Sequence, residues 1–567
     1  MAKVKLPLGI DDFEELRTSG CYYIDKTGFI RELLDETFKV NLITRPRRFG
    51  KTLTMSMLAE FLDITKDSRG LFAGLEVTED SEFCERWMNQ WPVLFLTLKD
   101  VNGKNFDGAY GLLKQVISRL CIEHVYLKNS DKITEADMNS FFRLMNRNGD
   151  DTDVKCALDT LMRMMEAHYG KKVILLIDEY DVPLAKASDN GYYDDMLDVI
   201  RSFLGMAWKS NPSLKFAVVT GCLRIAKESI FTGANNFVSR SISKKRYCRY
   251  FGFSEQEVCR LLEKIGLSDH LPEMKKWYDG YRFGGNEVYC PWDVINHVNE
   301  LMDDAHIRPD NYWKDTSHNN IIRRFIDARG IAVNEKFEIL LGGGVIRERI
   351  VEDLSYDFDH STEDNLWSIL YLTGYLTQAA SESGAEGAKT ADEKTALRIP
   401  NEEVKTIFAD TVAKWFTDTV SSADRTEFFR AWWQGDDKAL TCEVSDILFD
   451  TISYYDYRED YYHAFMAGLF SGAGYEVKSN SEQGTGRADI VVTDRRARRA
   501  IVIEAKWAGT EAELPKDCQE AKKQIIEKQY ADNLRMKGYE KILCYGAAFY
   551  KKKCLIERIE TATDQTP

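Results

Sequence analysis

No run of about 18 or more apolar residues occurs in the 567-residue chain, so no segment reads as a membrane-spanning helix. Met1-Ala2-Lys3-Val4-Lys5 passes directly into the acidic Asp11-Asp12-Phe13-Glu14-Glu15 without an apolar signal core, and the protein is expected in the cytoplasm with no membrane partner. Twelve cysteines include no C-x-x-C pair, and none of the eight histidines sits in an H-E-x-x-H pattern. These absences argue against a zinc knuckle, a zincin and a disulfide framework, and leave reduced, mostly buried thiols. No internal repeat is found, which removes solenoids and propellers. The net charge of -15 disfavours coating of nucleic acid by the whole surface, while leaving room for a basic groove on one domain. A chain this long, 44% hydrophobic and 29% charged, is too large for one ordinary core and too apolar for disorder. Two or three packed domains are expected.

Near the start, the apolar Val40-Asn41-Leu42-Ile43-Thr44 is followed by Arg45-Pro46-Arg47-Arg48-Phe49-Gly50-Lys51-Thr52, and a helix is predicted from Lys51 through Met55, Leu58 and Leu62. This is the strand, loop and helix context of a phosphate loop: backbone N–H groups and a helix terminus surround phosphates, the lysine reaches the terminal ones, and the next hydroxyl binds magnesium. Arg48, Phe49, Gly50, Lys51 and Thr52 are the candidate nucleotide contacts. The usual first glycine is replaced by Arg45, and Pro46 offers no N–H. Alone, the stretch reads equally well as a basic helix start that caps a strand.

Its complement is Val173-Ile174-Leu175-Leu176-Ile177-Asp178-Glu179, a buried strand ending in two acids. In NTPases with an extra strand between the two motifs, the first acid holds magnesium through water and the second activates the attacking water. Asp178 and Glu179 take those roles, with Thr52 and Asp178 as metal candidates. Thr220, ending a strand around Phe216–Thr220, is a candidate γ-phosphate sensor, and Arg224 a candidate stabiliser of transition-state charge. Another strand is predicted at Val93–Leu98, giving a parallel sheet flanked by helices. Ser254 and Glu257 form a capping box that opens a helical region. Ala380–Lys394, rich in Ala, Gly, Ser and Glu, reads as a solvated loop within it.

Tyr23-Ile24-Asp25-Lys26-Thr27, the Arg45–Thr52 loop, Leu176–Asp181, Trp277–Phe283 and Pro291-Trp292 together resemble the bacterial AAA-ATPase-like family over roughly the first 300 residues. The resemblance is specific, because an arginine in place of the first glycine is a habit of that family. It implies an ATPase core with a helical lid, and ATP with Mg²⁺ as ligands.

Towards the other end, alternation along Ala500–Lys506 puts Glu504 and Lys506 on one face and Ile501, Ile503 and Ala505 on the other. With Asp489 on the preceding strand, two carboxylates can bind Mg²⁺ or Mn²⁺ against a scissile phosphate, while Lys506 orients or helps deprotonate water. The basic turn Arg495–Arg499 reads as a phosphate contact or, equally, as a solvated hairpin tip. Glu482 to Asp489, Glu504-Ala505-Lys506, and Gln524 and Tyr530 on a helix expected from Glu511 to Lys537 resemble the PD-(D/E)XK nuclease superfamily over about the last 120 residues. That resemblance makes Glu459, on a helix with His463, an additional metal-binding acid.

The expected fold class is therefore α/β: a P-loop NTPase core over 1–250, a mostly helical lid and middle region over 251–436, and a small restriction-endonuclease-like α/β domain over 437–567. The leading functional expectation is an ATP-regulated, metal-dependent nuclease with nucleic acid, DNA ahead of RNA, as its partner, and with homo-oligomerisation left open. The alternative is a nucleotide-switched nucleic-acid-binding or assembly protein that does not cut. A scaffold using ATP for stability alone is disfavoured by Glu179, which a pure binding site does not need.

Overall fold

The structure, a computed structural model, describes residues 4–225, 230–231, 237–313, 336–337, 339–354, 356, 362–379, 394–408, 426–451, 466, 470, 475–483, 486–551 and 553–559. Two compact units divide the chain: one takes residues 1–318 and 347–406, the other 319–346 and 407–567.

In the first unit, five apolar runs form a parallel sheet: β1 (Val40–Thr44), β2 (Val93–Thr97), β3 (Val173–Asp178), β4 (Leu214–Gly221) and β5 (Phe237–Arg240), in the order β2-β3-β4-β1-β5. Every residue of β1 and β3 is buried, the pattern of strands covered on both faces. β4 separates β1 from β3, as the expected extra strand requires. Registers pair Thr44 with Gly221 and Thr97 with Asp178, so the strands that carry the motifs finish at one edge of the sheet. Open parallel sheets bind ligands at that carboxyl edge. α1 (Lys51–Leu62) follows β1 and buries Met55, Leu58 and Leu62, as its spacing predicts. α2 (Phe106–Glu123) and α3 (Asp151–Tyr169) separate β2 from β3, and α4 (Val182–Asn190) and α5 (Tyr193–Trp208) separate β3 from β4.

Beyond the sheet, α6 (Glu255–Ile265) starts at the predicted capping box: Ser254 N–H donates to Glu257 at 2.7 Å, and Glu257 N–H to Ser254 Oγ at 3.4 Å. Glu257 also receives Lys26 Nζ at 2.7 Å, which ties this helix to the amino-terminal segment. α7 (Leu271–Tyr278), the hairpin β6 (Tyr281–Phe283) with β7 (Asn286–Val288), and α8 (Pro291–Asp303) follow, and α6, α7 and α8 share one apolar cluster. The region is less uniformly helical than its sequence predicts. Besides the hairpin it holds a three-stranded sheet of Ile346–Glu348, Thr377–Gln378 and Thr395–Arg398 beside α9 (Glu363–Leu372). Strands of two to four residues are too short to print a period of two. Of the predicted Ala380–Lys394 loop, residues 380–393 lie outside the described residues.

The second unit contains α10 (Thr426–Gln434) and α11 (Asp437–Thr451), then a sheet of β8 (Glu476–Gln483), β9 (Gly486–Asp494), β10 (Arg499–Trp507), β11 (Lys541–Tyr550) and β12 (Lys553–Arg558) in sequential order. β10 and β11 are parallel, and the other pairs antiparallel. Ile490, Ile501, Ile503 and Ala505 face Trp432 and Leu440, whereas Val491, Ala500 and Val502 face Ile525 and Leu534. That is the predicted alternation. The single helix predicted from Glu511 to Lys537 is instead two, α12 (Leu514–Glu527) and α13 (Tyr530–Met536), broken at Gln529 with φ 54°. All twelve cysteines are free thiols. Among the described residues, no helix is long and apolar enough to cross a membrane.

Candidate active sites

The loop after β1 enters α1 through Gly50, whose φ of 79° is readily adopted only without a side chain. Among the described residues, the amides of Gly50, Lys51, Thr52 and Leu53 donate to no backbone carbonyl, and no side chain caps them. Four orphan donors at a half-buried helix start form a ready anion site. The Lys51 side chain is 3% exposed, and its ammonium donates to the carbonyls of Pro46 (3.1 Å) and Arg45 (3.3 Å) and pairs with Glu179 at 3.4 Å. Burial works against its charge. The Cys222 sulfur, Glu179, Asp178 and Asp181 outweigh that effect and keep the lysine firmly protonated.

Thr52 Oγ1 donates to Asp178 Oδ2 at 2.7 Å, so the phosphate-loop hydroxyl and the first acid meet across the sheet edge. Burial, reinforced by the neighbouring Glu179, raises the Asp178 pKa, against hydrogen bonds from Thr220 and Thr52. An adjacent hydroxyl and carboxylate are the hard oxygen donors that magnesium prefers. Glu179 takes a φ of 54°, an uncommon conformation for a non-glycine residue, and its side chain remains 16% exposed beside Lys51. Thr220 is fully buried and donates to Asp178, which makes it a support for the first acid. Arg224 is engaged by Asp353 at 3.1 Å and lies over the Phe237 ring.

The side chains of the unusual loop are anchors. Arg45 is completely buried, donates to the carbonyls of Thr44 and Arg240, each at 2.7 Å, and lies over Phe251 and Phe283. Burial lowers its pKa to about 10, so the guanidinium remains charged at neutral pH. Phe49 is buried between Tyr281 and Phe283 of the hairpin, leaving its backbone to face a ligand. Arg48, at φ 70°, stacks over Trp292 with its guanidinium 3.9 Å from the ring centre and donates to the Tyr312 carbonyl at 3.1 Å. The Trp277–Phe283 and Pro291-Trp292 motifs thus clamp the loop from the side of the helical region.

A cavity of about 300 Å³ opens beside the loop, lined by the polar Lys51, Thr52 and Glu179 and by the apolar or aromatic Tyr22, Phe253 and Trp292 among others. Its size and lining suit a small organic ligand with an anionic tail. Sequence reasoning did not single out three residues near Lys51 and Glu179 that do not themselves line this cavity. Arg47 lies within electrostatic reach of Cys222, Glu179, Tyr356 and Asp181. Asp181 is 1% exposed and accepts from the amides of Cys222 (2.9 Å) and Leu223 (3.0 Å) and from the Tyr356 hydroxyl (3.0 Å). Asp181 was within reach, since it sits three residues beyond Asp178. Tyr356 arrives from far along the chain and gave no local signal.

In the second unit, β9 and β10 pair so that Ile490 faces Ile503, which brings Asp489 beside Glu504. Asp489 N–H donates to Glu504 Oε2 at 3.4 Å, and Ala505 N–H returns to Asp489 Oδ2 at 2.8 Å. Glu504 is fully buried and receives Gln524 Nε2 from α12, while Lys506 Nζ lies 3.5 Å from its Oε1. Tyr530 backs Gln524 at 3.4 Å. Burial and the nearby Asp489 push the Glu504 carboxyl up to about 7, against Lys506. Two carboxylates with hard oxygens at such close quarters favour a divalent cation between them. Glu459 and His463 lie outside the described residues. In the basic turn, Arg495 pairs with Glu476, Arg498 with Glu540 and Arg499 with Asp494, the behaviour of a solvated, charge-balanced hairpin tip.

Along 97% of its length the chain is similar to the "Uncharacterized protein in vnfD 5'region" of Azotobacter chroococcum mcd 1, with 25% identity over 564 residues and 97% of that protein covered. Residues 7–231 match the family described as Predicted AAA-ATPase, and residues 457–559 match the PD-(D/E)XK nuclease superfamily. The chain therefore carries an AAA-ATPase-like domain in its amino-terminal part and a PD-(D/E)XK nuclease-superfamily domain at its carboxyl-terminal end.

Proposed function

We propose that the protein hydrolyses ATP and cuts DNA by metal-dependent phosphodiester hydrolysis, with cleavage responding to the bound nucleotide. The observation that carries the nuclease reading is the meeting of Asp489, Glu504, Lys506 and Gln524 at one point, with Glu504 buried and crowded by a second carboxylate. Lys506 sets a positive charge against that pair and is placed to orient an attacking water and assist its deprotonation. Gln524 donates to one Glu504 oxygen and the Asp489 amide to the other, which holds the carboxylate in place beside Asp489.

At the phosphate loop, the orphan amides from Gly50 onward and the Lys51 ammonium bind and orient the phosphates. Glu179 is placed to take a proton from the attacking water, and Thr220 holds Asp178 in position. A divalent cation, held by Thr52 and Asp178 in one unit and by Asp489 and Glu504 in the other, would supply Lewis-acid polarisation of phosphoryl oxygens. The deciding experiment incubates purified protein with single- and double-stranded DNA and RNA, with and without ATP, in Mg²⁺ and in Mn²⁺. DNA cleavage that disappears in Asp489→Ala and Glu504→Ala supports the reading. Binding without cleavage in every condition would replace it with a nucleotide-switched binding protein.

A further inference from the structure

The chain leaves the first unit after His318 and returns to it at Arg347. Within ten residues of its return it lies against the carboxyl edge of the ATPase sheet. Leu354 N–H donates to the Arg224 carbonyl at 3.2 Å, and Ile225 and Leu354 form a parallel bridge. Asp353 pairs with Arg224 at 3.1 Å, and Glu352 receives the Ser241 hydroxyl at 3.1 Å. Tyr356 then donates its buried hydroxyl to Asp181 at 3.0 Å, and its carbonyl accepts from Ser188 on α4. The segment is thus stitched to residues just beyond β4 and just beyond β3. Those are the strand ends where the terminal phosphate of a nucleotide on Lys51 would lie.

Asp181 occupies a charged environment that a nucleotide must disturb. Its side chain is buried with Glu179 and Lys51 in electrostatic range, and Arg47 is shared between Glu179, Asp181 and Tyr356. Lys51 now shares its ammonium among four acceptors: two loop carbonyls, Glu179 and the Cys222 sulfur. A terminal phosphate carries more negative charge than any of these acceptors, so it draws both cations towards itself and away from the acids. Asp181 then depends more heavily on its remaining neutral donors, the two backbone amides and the Tyr356 hydroxyl. ADP, lacking the terminal phosphate, leaves that balance nearly as it is. Only a ligand that distinguishes two arrangements shifts an equilibrium, and this contact supplies the difference.

We propose that Tyr356 is a positioning residue that reads the terminal phosphate through Asp181 and so sets how firmly the returning segment is held at the sheet edge. The proposal rests on the ATP-binding reading above. It adds a named contact and a direction: the segment is held more firmly with ATP than with ADP.

The test uses full-length protein with Mg²⁺, loaded with a non-hydrolysable ATP analogue or with ADP, with binding of each measured first by calorimetry. Hydrogen exchange is then followed in peptides covering 347–356. In the wild type, exchange there is expected to slow by about tenfold with the ATP analogue relative to ADP. Tyr356→Phe keeps the ring and removes the hydroxyl, so it should bind both nucleotides as wild type does and lose most of that difference. Asp353→Asn, which weakens the Arg224 pairing without touching the hydroxyl, serves as a second variant and should reduce the difference in part. Equal exchange with both ligands in the wild type, or an undiminished difference in Tyr356→Phe, overturns the proposal while leaving the ATP site intact. Absence of nucleotide binding in the calorimetry overturns the ATP reading itself, and the proposal with it.

Discussion

Lys51 and Glu179 face each other at 3.4 Å, yet their loss should have different consequences. Lys51→Ala removes the buried ammonium at the loop and its ion pair with Glu179 beside the phosphate position, so nucleotide binding should fall below detection in calorimetry. Glu179→Gln keeps the shape and relieves negative charge, so binding should be retained or tightened, while turnover drops by about a hundredfold or more. Equal turnover in Glu179→Gln and wild type would remove Glu179 from the chemistry. Glu504 yields a pH prediction. Its folded carboxyl value of about 7 lies above the ordinary 4.5, so the native state holds the proton more tightly than the unfolded chain does. The stability it contributes is present below about pH 4.5 and is lost as pH rises through about 7. A divalent cation replaces that proton. Mn²⁺ affinity should therefore climb by up to about tenfold per pH unit towards neutrality and level off above it. Titrations from acidic to alkaline pH, with Glu504→Gln as control, check this; a flat profile would show that Glu504 is not a ligand.

Among the elements, β1 to β4 of the parallel sheet and the central nuclease-like strands β9 and β10 were legible because each is a run of five or more residues with a clear apolar rhythm, as in Val173–Asp178 and Arg499–Trp507, whereas β8 and β12 at the sheet's two edges drew no expectation. β5 is short and half-buried along its length, and it printed no such signal. The phosphate loop was legible as a motif, but the direction of its side chains was not. Nothing in Arg45-Pro46-Arg47-Arg48-Phe49 foretells that Arg45 turns into the core, that Arg48 lies on Trp292, or that Phe49 sits between Tyr281 and Phe283. Those partners lie some 200 or more residues away, and only the tertiary fold brings them together. The same hairpin offers a prediction at this scale. Gly280 has φ 91°, and a Cβ there would meet the Pro400 carbonyl oxygen at 2.2 Å. Gly280→Ala should thus cost about 3 kcal/mol or more, through backbone strain together with overpacking. Because β6 holds Phe49, nucleotide affinity should weaken in the same variant. Thermal unfolding and a nucleotide titration measure the two effects separately.

For the whole molecule, the proposed coupling predicts that DNA cleavage by the wild type differs between ATP, ADP and no nucleotide, and that Lys51→Ala gives one rate in all three. Identical wild-type rates in every condition, with both sites active, would show that the domains are merely tethered. The chain's path gives this prediction a further consequence. It crosses between the two units after residue 318, before 347 and after 406, so neither unit is a continuous stretch of sequence. A single stop codon cannot separate them cleanly: ending the chain at 318 strips the ATPase of Tyr356 and of Glu403, which accepts the Trp313 amide at 2.9 Å. For the gene, this means that the first unit cannot be exchanged as an uninterrupted block of its own: any single stretch that carries all of it also carries residues 319–346 of the second unit.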